Sequence, residues 1–370
     1  MKQATPVAVV GAGLSGLAVA LGLRARGVPC VLFEASARAG GVVRSSRRDG
    51  HLLEWGPQRL RLTPELRALV DELGMRDELI LAPADAPLRV VRGGELHEVP
   101  RSLAALLTGS VLTPAGRLRV LLEPFTGPVA EAESVARALR RKFGDEAYRV
   151  VLGPLFGGLY ASDPANMRCA DSLSRFVARA GSPRSLLLHA LRLGAADGSP
   201  AACSFRDGLG ALPTAMAAAL GPTLRLECAV RELRTADGGW ALRVDDAHAA
   251  PPDGPRVPFH RVVLAVPADR ASRLLSTAAP DVAERLGRLT YNRLAMVHLE
   301  AAGAPIPGYG YRVAFGEPLE TRGVTFNDAM FGRSGLVTAF LGGARNVELP
   351  EWPDERIAAL AETEFRRVTG

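Results

Sequence analysis

The run VAVVGAGLSG, residues 7–16, decides the reading of this chain. Residues 6 to 10 read as a buried strand, and residues 14 to 26 carry the apolar spacing of a helix that ends near Gly27. PCVLFE, residues 29–34, then reads as a second strand, so the chain opens as a βαβ unit. Three glycines occupy the first turn. Gly11 permits a sharp turn, Gly13 lets the backbone approach a pyrophosphate, and Gly16 lets the helix pack closely on the strand. The helix N-terminus offers free N–H groups and the positive end of a dipole to phosphates.

Glu34 closes the second strand, 18 residues after Gly16. A carboxylate there can accept both hydroxyl hydrogens of an adenosine ribose and repels a 2′-phosphate, which favours FAD or NAD over NADP. The continuation EASARAGG, residues 34–41, separates the two. It places Arg38 near the pyrophosphate and adds a second glycine pair, Gly40 and Gly41, where backbone runs close to a ligand again. An NAD domain does not need this second approach; an extended FAD does.

Composition sets the bounds. The 370 residues, 48% hydrophobic and 23% charged, suit more than one domain of an ordinary globular protein. The formal net charge is +6, and Lys2 and Lys142 are the only lysines among 45 basic residues. Arginine suits carboxylates and phosphates as a rigid fork. No aromatic-interleaved basic stripe is present, so nucleic acid is not expected as a partner. Cys30, Cys169, Cys203 and Cys228 lie far apart with no C-x-x-C pair, which fits a reducing compartment, and the six histidines show no metal-ligand spacing, so no metal is expected. The N-terminus imitates a secretory signal, but its glycine spacing and continuing helix pattern argue against cleavage. No uninterrupted apolar stretch of about 18 residues suggests a transmembrane helix.

Further along, residues 64 to 160 are mostly helical in pattern, with PELRALVDELG (64–74) the clearest helix. RVVRGGELHEV (89–99) reads as a hairpin around Gly93-Gly94. The small, turn-rich residues 193 to 202 suggest a domain crossing. ADGG (236–239) lies between two alternating runs as a second hairpin, and HRVVLAVPA (260–268) reads as a buried strand. Residues 290 to 343 are strand-rich, and 351 to 368 form one amphipathic helix.

The run from Gly11 to Gly41 resembles the FAD-binding opening of the flavin amine oxidase-like superfamily. LLEWGPQ (52–58) resembles the segment that passes under the flavin in its protoporphyrinogen/coproporphyrinogen oxidase branch. Further matches follow in that branch's order: GGELHEVP (93–100), RRKFGDEAYRVVLGPLFGGLYASDP (140–164), FRDGLGALPTAMAAAL (205–220), VVLAVPA (262–268) and MVHLEA (296–301). The implied fold is mixed α/β. A discontinuous Rossmann-type FAD-binding domain (1–87 and 202–270) is expected with a mainly helical, membrane-facing or substrate domain (88–201) and a β-rich substrate domain (271–370). The implied reaction is oxidation of protoporphyrinogen IX or coproporphyrinogen III by three hydride transfers to flavin, with O2 as the final acceptor. No acid–base pair stands out as catalytic.

By motif position, Gly11, Ala12, Gly13, Leu14, Ser15, Gly16, Glu34, Ala35, Arg38, Gly40, Gly41 and Val42 would hold the FAD. Gly56, Pro57, Gln58 and Arg59 would lie along the flavin, and Val230 would meet the adenine through its backbone, although it also alternates like a core strand residue. Gly158 and Leu159 would line the macrocycle slot, or simply pack a helix, and Tyr309 falls where the family places an aromatic over the macrocycle. The family's propionate arginine falls on Leu88 here, with Arg89 one residue later and on the opposite face of a strand unless a bulge restores it. Residues 101–125, with Arg101, Arg117 and Arg119 among leucines, have a composition that permits interfacial membrane contact or an ordinary domain surface. The resemblance also leaves a homodimer open, and it fits a cytoplasmic location, free or peripheral on the cytoplasmic membrane. The family fold closes with a further C-terminal segment that returns to the FAD domain; a chain ending at Gly370 without it is expected to hold flavin poorly. An amine oxidase, a carotenoid desaturase-like enzyme and a non-catalytic remnant remain the alternatives.

Overall fold

The computed structural model describes residues 6–172, 184–189, 200–236, 238–246, 257–301 and 306–370. The opening run forms strand β1 (Val7–Val10), buried at every position, and helix α1 (Leu14–Ala25), which ends ahead of Gly27 at φ +68°. Strand β2 (Cys30–Phe33) returns parallel to β1, with Val7 opposite Cys30. Strands β3 (Ser45–Arg48) and β4 (His51–Glu54) form a hairpin absent from the sequence reading. Its turn is Asp49-Gly50, both at positive φ, the geometry a two-residue hairpin loop requires. Strand β5 (Leu60–Arg61) leads to helix α2 (Pro64–Glu72), which starts with proline and is capped by the Thr63 hydroxyl accepting from the Leu66 N–H; β6 (Leu79–Leu81) follows.

The hairpin of β7 (Leu88–Arg92) and β8 (Glu95–Glu98) turns at Gly93-Gly94 as the spacing implies. Helices α3 (Leu103–Thr108), α4 (Pro114–Leu121), α5 (Val135–Phe143) and α6 (Gly153–Tyr160) come next, with a π-helical turn over Tyr148–Leu152 before the last. The turn-rich 193–202 stretch lies outside the described residues up to 199; the chain changes unit between Ala201 and Ala202. Beyond it come β9 (Ala202–Phe205), α7 (Ala211–Leu220), β10 (Leu224–Arg225), β11 (Cys228–Ala236), β12 (Gly239–Asp246), β13 (Val257–Phe259), β14 (Arg261–Leu264), α8 (Ala268–Leu275) and α9 (Pro280–Gly287). The chain then runs through β15 (Leu294–Glu300), β16 (Gly310–Val313), β17 (Thr321–Phe326), β18 (Leu336–Gly342) and α10 (Asp354–Thr369).

These elements form two units, Met1–Ile80 with Ala202–Tyr291, and Leu81–Ala201 with Asn292–Gly370. The first holds a parallel sheet of order β10-β2-β1-β14. Its core joins Leu17, Leu21 and Leu32 to Phe205, Leu212 and Met216. Strand β14 pairs with β1 alone among the described strands, so it is half-buried rather than buried as its apolar run suggests. In the second unit a six-stranded sheet runs β15-β18-β17-β16-β7-β8. Parallel pairing of β7 with β16 makes one body of the stretches read as a helical domain (88–201) and a separate β-rich domain (271–370), while residues 271–291 fall with the first unit. Side-chain alternation then sorts the faces. Val91, Tyr311 and Val313 pack toward Ile357, Ala361 and Phe365 of α10, and Val90 and Ala314 pack toward Leu139, Phe143 and Tyr148 of the helical layer.

Lys142, on α5, pairs with Glu123 at 2.8 Å, both fully buried. Its ammonium also donates to Thr126 Oγ1, the Gly127 carbonyl and the Arg184 carbonyl, while Glu123 accepts from the Ser185 hydroxyl and from the Leu186 and Leu187 N–H groups. A buried pair with every lone pair and proton engaged is tolerated, but either member left alone is costly. Lys142→Met and Glu123→Leu should each destabilise the protein by about 3–5 kcal/mol, and the double variant should recover most of that loss. Urea unfolding monitored by circular dichroism checks the non-additivity.

Candidate functional site: the glycine-lined cradle and the β7–β16 face

In the first unit, four segments meet at the carboxyl ends of β1 and β2. A Cβ on Gly11, at φ +98°, would lie 2.7 Å from the Ala265 carbonyl oxygen and the Val266 side chain, and a Cβ on Gly16 would overlap the Gly11 carbonyl oxygen. Gly13 caps α1 with no side-chain hydrogen bond, and no atom lies within 4 Å of where its Cβ would stand. The first turn of α1, Leu14 half-buried and Ser15 exposed, therefore presents its backbone donors beside open space. Gly40 forms a parallel bridge with Gly13 and donates its N–H to the Ala12 carbonyl at 2.8 Å, and a Cβ on Gly41 would come 3.2 Å from Gly13 Cα. The second glycine pair thus presses against the first.

Glu34 follows β2 directly. Its Oε2 accepts from the Ala12 N–H at 2.8 Å, and its Oε1 accepts from the Ser36 N–H and hydroxyl at 2.9 and 2.8 Å. The carboxylate is held against the glycine turn, with Oε2 keeping the greater capacity for a ribose hydroxyl. Ala35 is exposed, and Val42 is 79% exposed. Arg38 donates to the Ala39 and Gly41 carbonyls at 3.3 and 2.8 Å, which fixes the loop that carries the second glycine pair. The Cys228 N–H donates to the Glu34 carbonyl at 2.8 Å and seats the start of β11 there. Val230, two residues on, stands at a β-bulge and packs its side chain toward Phe33, Leu242 and Phe259. Gly56 passes so close to Val42 that a Cβ would overlap its carbonyl oxygen. Gln58 is buried and donates to the Glu54 and Gly56 carbonyls at 3.1 and 3.0 Å, flanked by half-buried Pro57 and Arg59.

Sequence reasoning missed what holds this last segment. Glu54 is buried; its carboxylate accepts from the Ser45 hydroxyl at 2.5 Å and the Leu209 N–H at 2.9 Å, while Ser45 Oγ accepts from the Gly210 N–H at 2.8 Å. A glutamate closing an apolar strand two residues before a glycine was the available signal.

In the second unit, β7 and β16 pair without a register shift, Leu88 opposite Gly310 and Arg89 opposite Tyr311. No bulge restores Arg89 to the Leu88 face. Its guanidinium donates to the Pro307 carbonyl and lies 3.5 Å from Glu98, so Arg89 is committed within the protein on the face opposite Gly158. Tyr309 sits at the same strand end, its N–H on the Pro87 carbonyl at 2.9 Å and its hydroxyl 3.4 Å from the Pro83 carbonyl. Gly158 faces the other side of the sheet, where a Cβ would meet Arg312 at 3.0 Å, and Leu159 is 68% exposed. The structure therefore groups Arg89 with Tyr309, and Gly158 with Arg312. Burial pushes the Cys169 and Cys203 thiols up to about 11, far from reactive thiolates at neutral pH. Among the described residues no cluster of three metal-ligating side chains occurs.

The two glycines that admit backbone for different reasons can be separated. Gly13→Ala meets open space at negative φ, so it should leave stability within about 0.5 kcal/mol of wild type while lowering FAD affinity at least tenfold. Gly16→Ala should lose both fold stability and flavin. Thermal unfolding beside flavin-to-protein absorbance ratios reads the difference.

Comparison with known proteins identifies the family. The model of the family described as flavin containing amine oxidoreductase matches residues 14–370. The chain is 27% identical to protoporphyrinogen oxidase 2, chloroplastic/mitochondrial, of Arabidopsis thaliana, over 98% of this chain and 80% of that one. It is 29% identical to the protoporphyrinogen oxidase of Bos taurus, over 91% and 77%. Among solved structures, a protein of Exiguobacterium sp. 255-15 provisionally described as a protoporphyrinogen oxidase superposes with a TM-score of 0.79 at 24% identity, covering 99% of this chain and 83% of its own. Putrescine oxidase bound to putrescine does so with 0.72 at 21%, covering 100% and 82%. At such identities the structures show a shared fold alone. The open space before Gly13, the uncapped helix start and the pinned Glu34 fit the diphosphate and ribose of FAD, and this chain belongs to the flavin-containing amine oxidoreductase family as an FAD-dependent oxidoreductase.

Proposed function

We propose that the protein oxidises a porphyrinogen, protoporphyrinogen IX or coproporphyrinogen III, to the porphyrin, as a step of haem synthesis with O2 as final acceptor. The observation that carries this reading is the similarity to plant and mammalian protoporphyrinogen oxidases along more than nine-tenths of the chain. Bound FAD supplies a two-electron acceptor that dioxygen regenerates. The residues of the first unit would hold and orient that acceptor: the Gly11–Gly16 turn would take the diphosphate, Glu34 the ribose, and the Gly56–Arg59 segment, fixed by Glu54 and Gln58, the ring. In this reading Gly158 and Leu159 border the flat macrocycle in the second unit. Each round removes a hydride from a meso carbon and one proton. Over three rounds six hydrogens leave, four from the meso carbons and two from pyrrole nitrogens, and the aromatic product supplies the driving force, so the protein need supply no strong base.

Mixing the flavin-loaded protein anaerobically with each porphyrinogen tests this reading, with putrescine as the control amine. Bleaching of flavin absorbance together with new porphyrin fluorescence is expected from one porphyrinogen at least; an unbleached flavin with both would overturn it.

We also propose peripheral membrane contact through the 101–125 region. Leu107, Leu118 and Phe125 are 48%, 60% and 83% exposed there. The arginines of this region serve the fold instead: Arg101 donates to the Ala84 and Ala86 carbonyls, Arg117 to Leu107 and Leu112, and Arg119 to Arg141 and Lys142. Contact would then be apolar. Co-sedimentation with neutral phosphatidylcholine vesicles should persist at high salt and fall in the Leu118→Asp/Phe125→Asp double variant; equal pelleting of variant and wild type would contradict it.

A further inference from the structure

The second unit contains a cavity of ≈ 290 Å³ whose lining includes Pro154, Gly157, Gly158, Phe315, Arg322 and Arg345. Arg322 reaches it through an irregularity in β17. Thr321 pairs with Leu341 and Gly323 with Phe340, which leaves Arg322 the extra residue of a β-bulge. A bulge turns one side chain out of the strand's alternation. The Arg322 Nε donates to the Gly342 carbonyl at 2.9 Å, which leaves the outer fork of the guanidinium for the cavity. Arg345 stands at the end of the short turn Gly343–Arg345, its guanidinium 3.8 Å from the Phe315 ring centroid.

Neither guanidinium makes an ion pair among the described residues, although acids are close. Each acid is taken by neutral donors. Glu317, in the lining, accepts from the Gly93 and Gly94 N–H groups at 2.7 and 3.1 Å. Glu320, also in the lining, accepts from Asn346 Nδ2 at 2.8 Å. Glu364 accepts from the Glu320 and Thr321 N–H groups, both at 2.8 Å, and Asp163 from the Ala165 N–H at 2.9 Å. Burial first, and the Arg345 charge second, push the Arg322 guanidinium down to about 10, while Glu320 and Asp163 act in the opposite sense, so two guanidinium forks stand at the cavity with no acid among the described residues in direct contact.

We propose that this cavity is an oxyanion-binding site in which the forks of Arg322 and Arg345 take a carboxylate or phosphate group. Two guanidinium forks suit such a group geometrically as well as by charge. Gly157 and Gly158 form a wall without side chains, so a compact anion enters whole, or a larger molecule enters by its anionic edge. The carboxylates of a porphyrin and a free small dianion share this chemistry, and the site's existence does not depend on which reaction the enzyme performs.

Calorimetric titration of inorganic phosphate and of succinate into the flavin-loaded protein tests the site without turnover. Saturable binding of at least one probe is expected, weakened at least tenfold in Arg345→Gln, whose side chain stacks on a ring at the surface and carries no fold-bearing hydrogen bond. Arg322→Gln should weaken it as much, and Arg345→Lys should restore part of it. Repeating the titration with coproporphyrin III present separates the sources. Competition assigns the site to the porphyrin's carboxylates; unchanged probe affinity assigns it to a free anion. Absence of binding by both probes, or equal affinity in wild type and both glutamine variants, would overturn the proposal.

Discussion

Helix α1 sits on the turn before it because position 16 carries no side chain. A single methyl group there would overlap the Gly11 carbonyl oxygen, and Gly11 is itself pressed against Ala265 and Val266 beyond β14. With the helix start fixed, its unpaired donors face the open space before Gly13, and the Gly40–Gly41 turn closes on the same glycine. Glu34 completes the cradle from the neighbouring strand. Its bonds to the Ala12 and Ser36 N–H groups hold the carboxylate in one orientation before any ligand arrives. Backbone proximity, rather than any reactive side chain, is the working material of this end of the molecule.

The second unit obeys a different constraint, the two-residue period of its sheet. Parallel pairing of β7 with β16 in unbroken register commits Leu88, Val90, Gly310 and Arg312 to one face and Arg89, Val91, Tyr311 and Val313 to the other. A shift of one position therefore separates Arg89 from Gly158 entirely. Only a bulge reverses such an assignment, and the sheet places its bulge in β17, at Arg322. There it turns the Arg322 guanidinium toward the cavity that Gly158 also lines.

The parts legible in the sequence were those fixed by local chemistry. The βαβ opening, the Gly93-Gly94 hairpin and the last amphipathic helix each follow from spacing and turn residues within a short window. The β3–β4 hairpin carried an Asp49-Gly50 signal of the same kind, masked by the polar run SSRR on one side of it. Other features depend on partners distant in sequence. The glutamate that closes an apolar strand marks Glu54 as unusual without naming Leu209 as its partner, and nothing near Leu88 announces that Gly310 will lie beside it. The grouping of residues 81–201 with 292–370 rests on that pairing, so a reading by composition divided what the sheet unites.

Charge gives the clearest case of a count that misleads until geometry sorts it. A surplus of +6, nearly all arginine, invites the idea of a polyanionic partner. In the structure many guanidiniums serve as internal staples, donating to carbonyls at loop and helix ends; Arg141 alone bonds the Gly127 and Pro128 carbonyls and both oxygens of Glu133. That pair holds the Glu133 carboxyl below its usual range, with hydrogen bonding to Arg141 outweighing the cost of burial. Lysine, a strongly hydrated point charge, does this poorly, and a planar fork does it well. The meaning of a basic residue here therefore lies in what its fork already holds. Guanidiniums spent on carbonyls build the fold, and Arg322, held by the Gly342 carbonyl, and Arg345, stacked on Phe315, bring two forks to one cavity with no ion pair among the described residues.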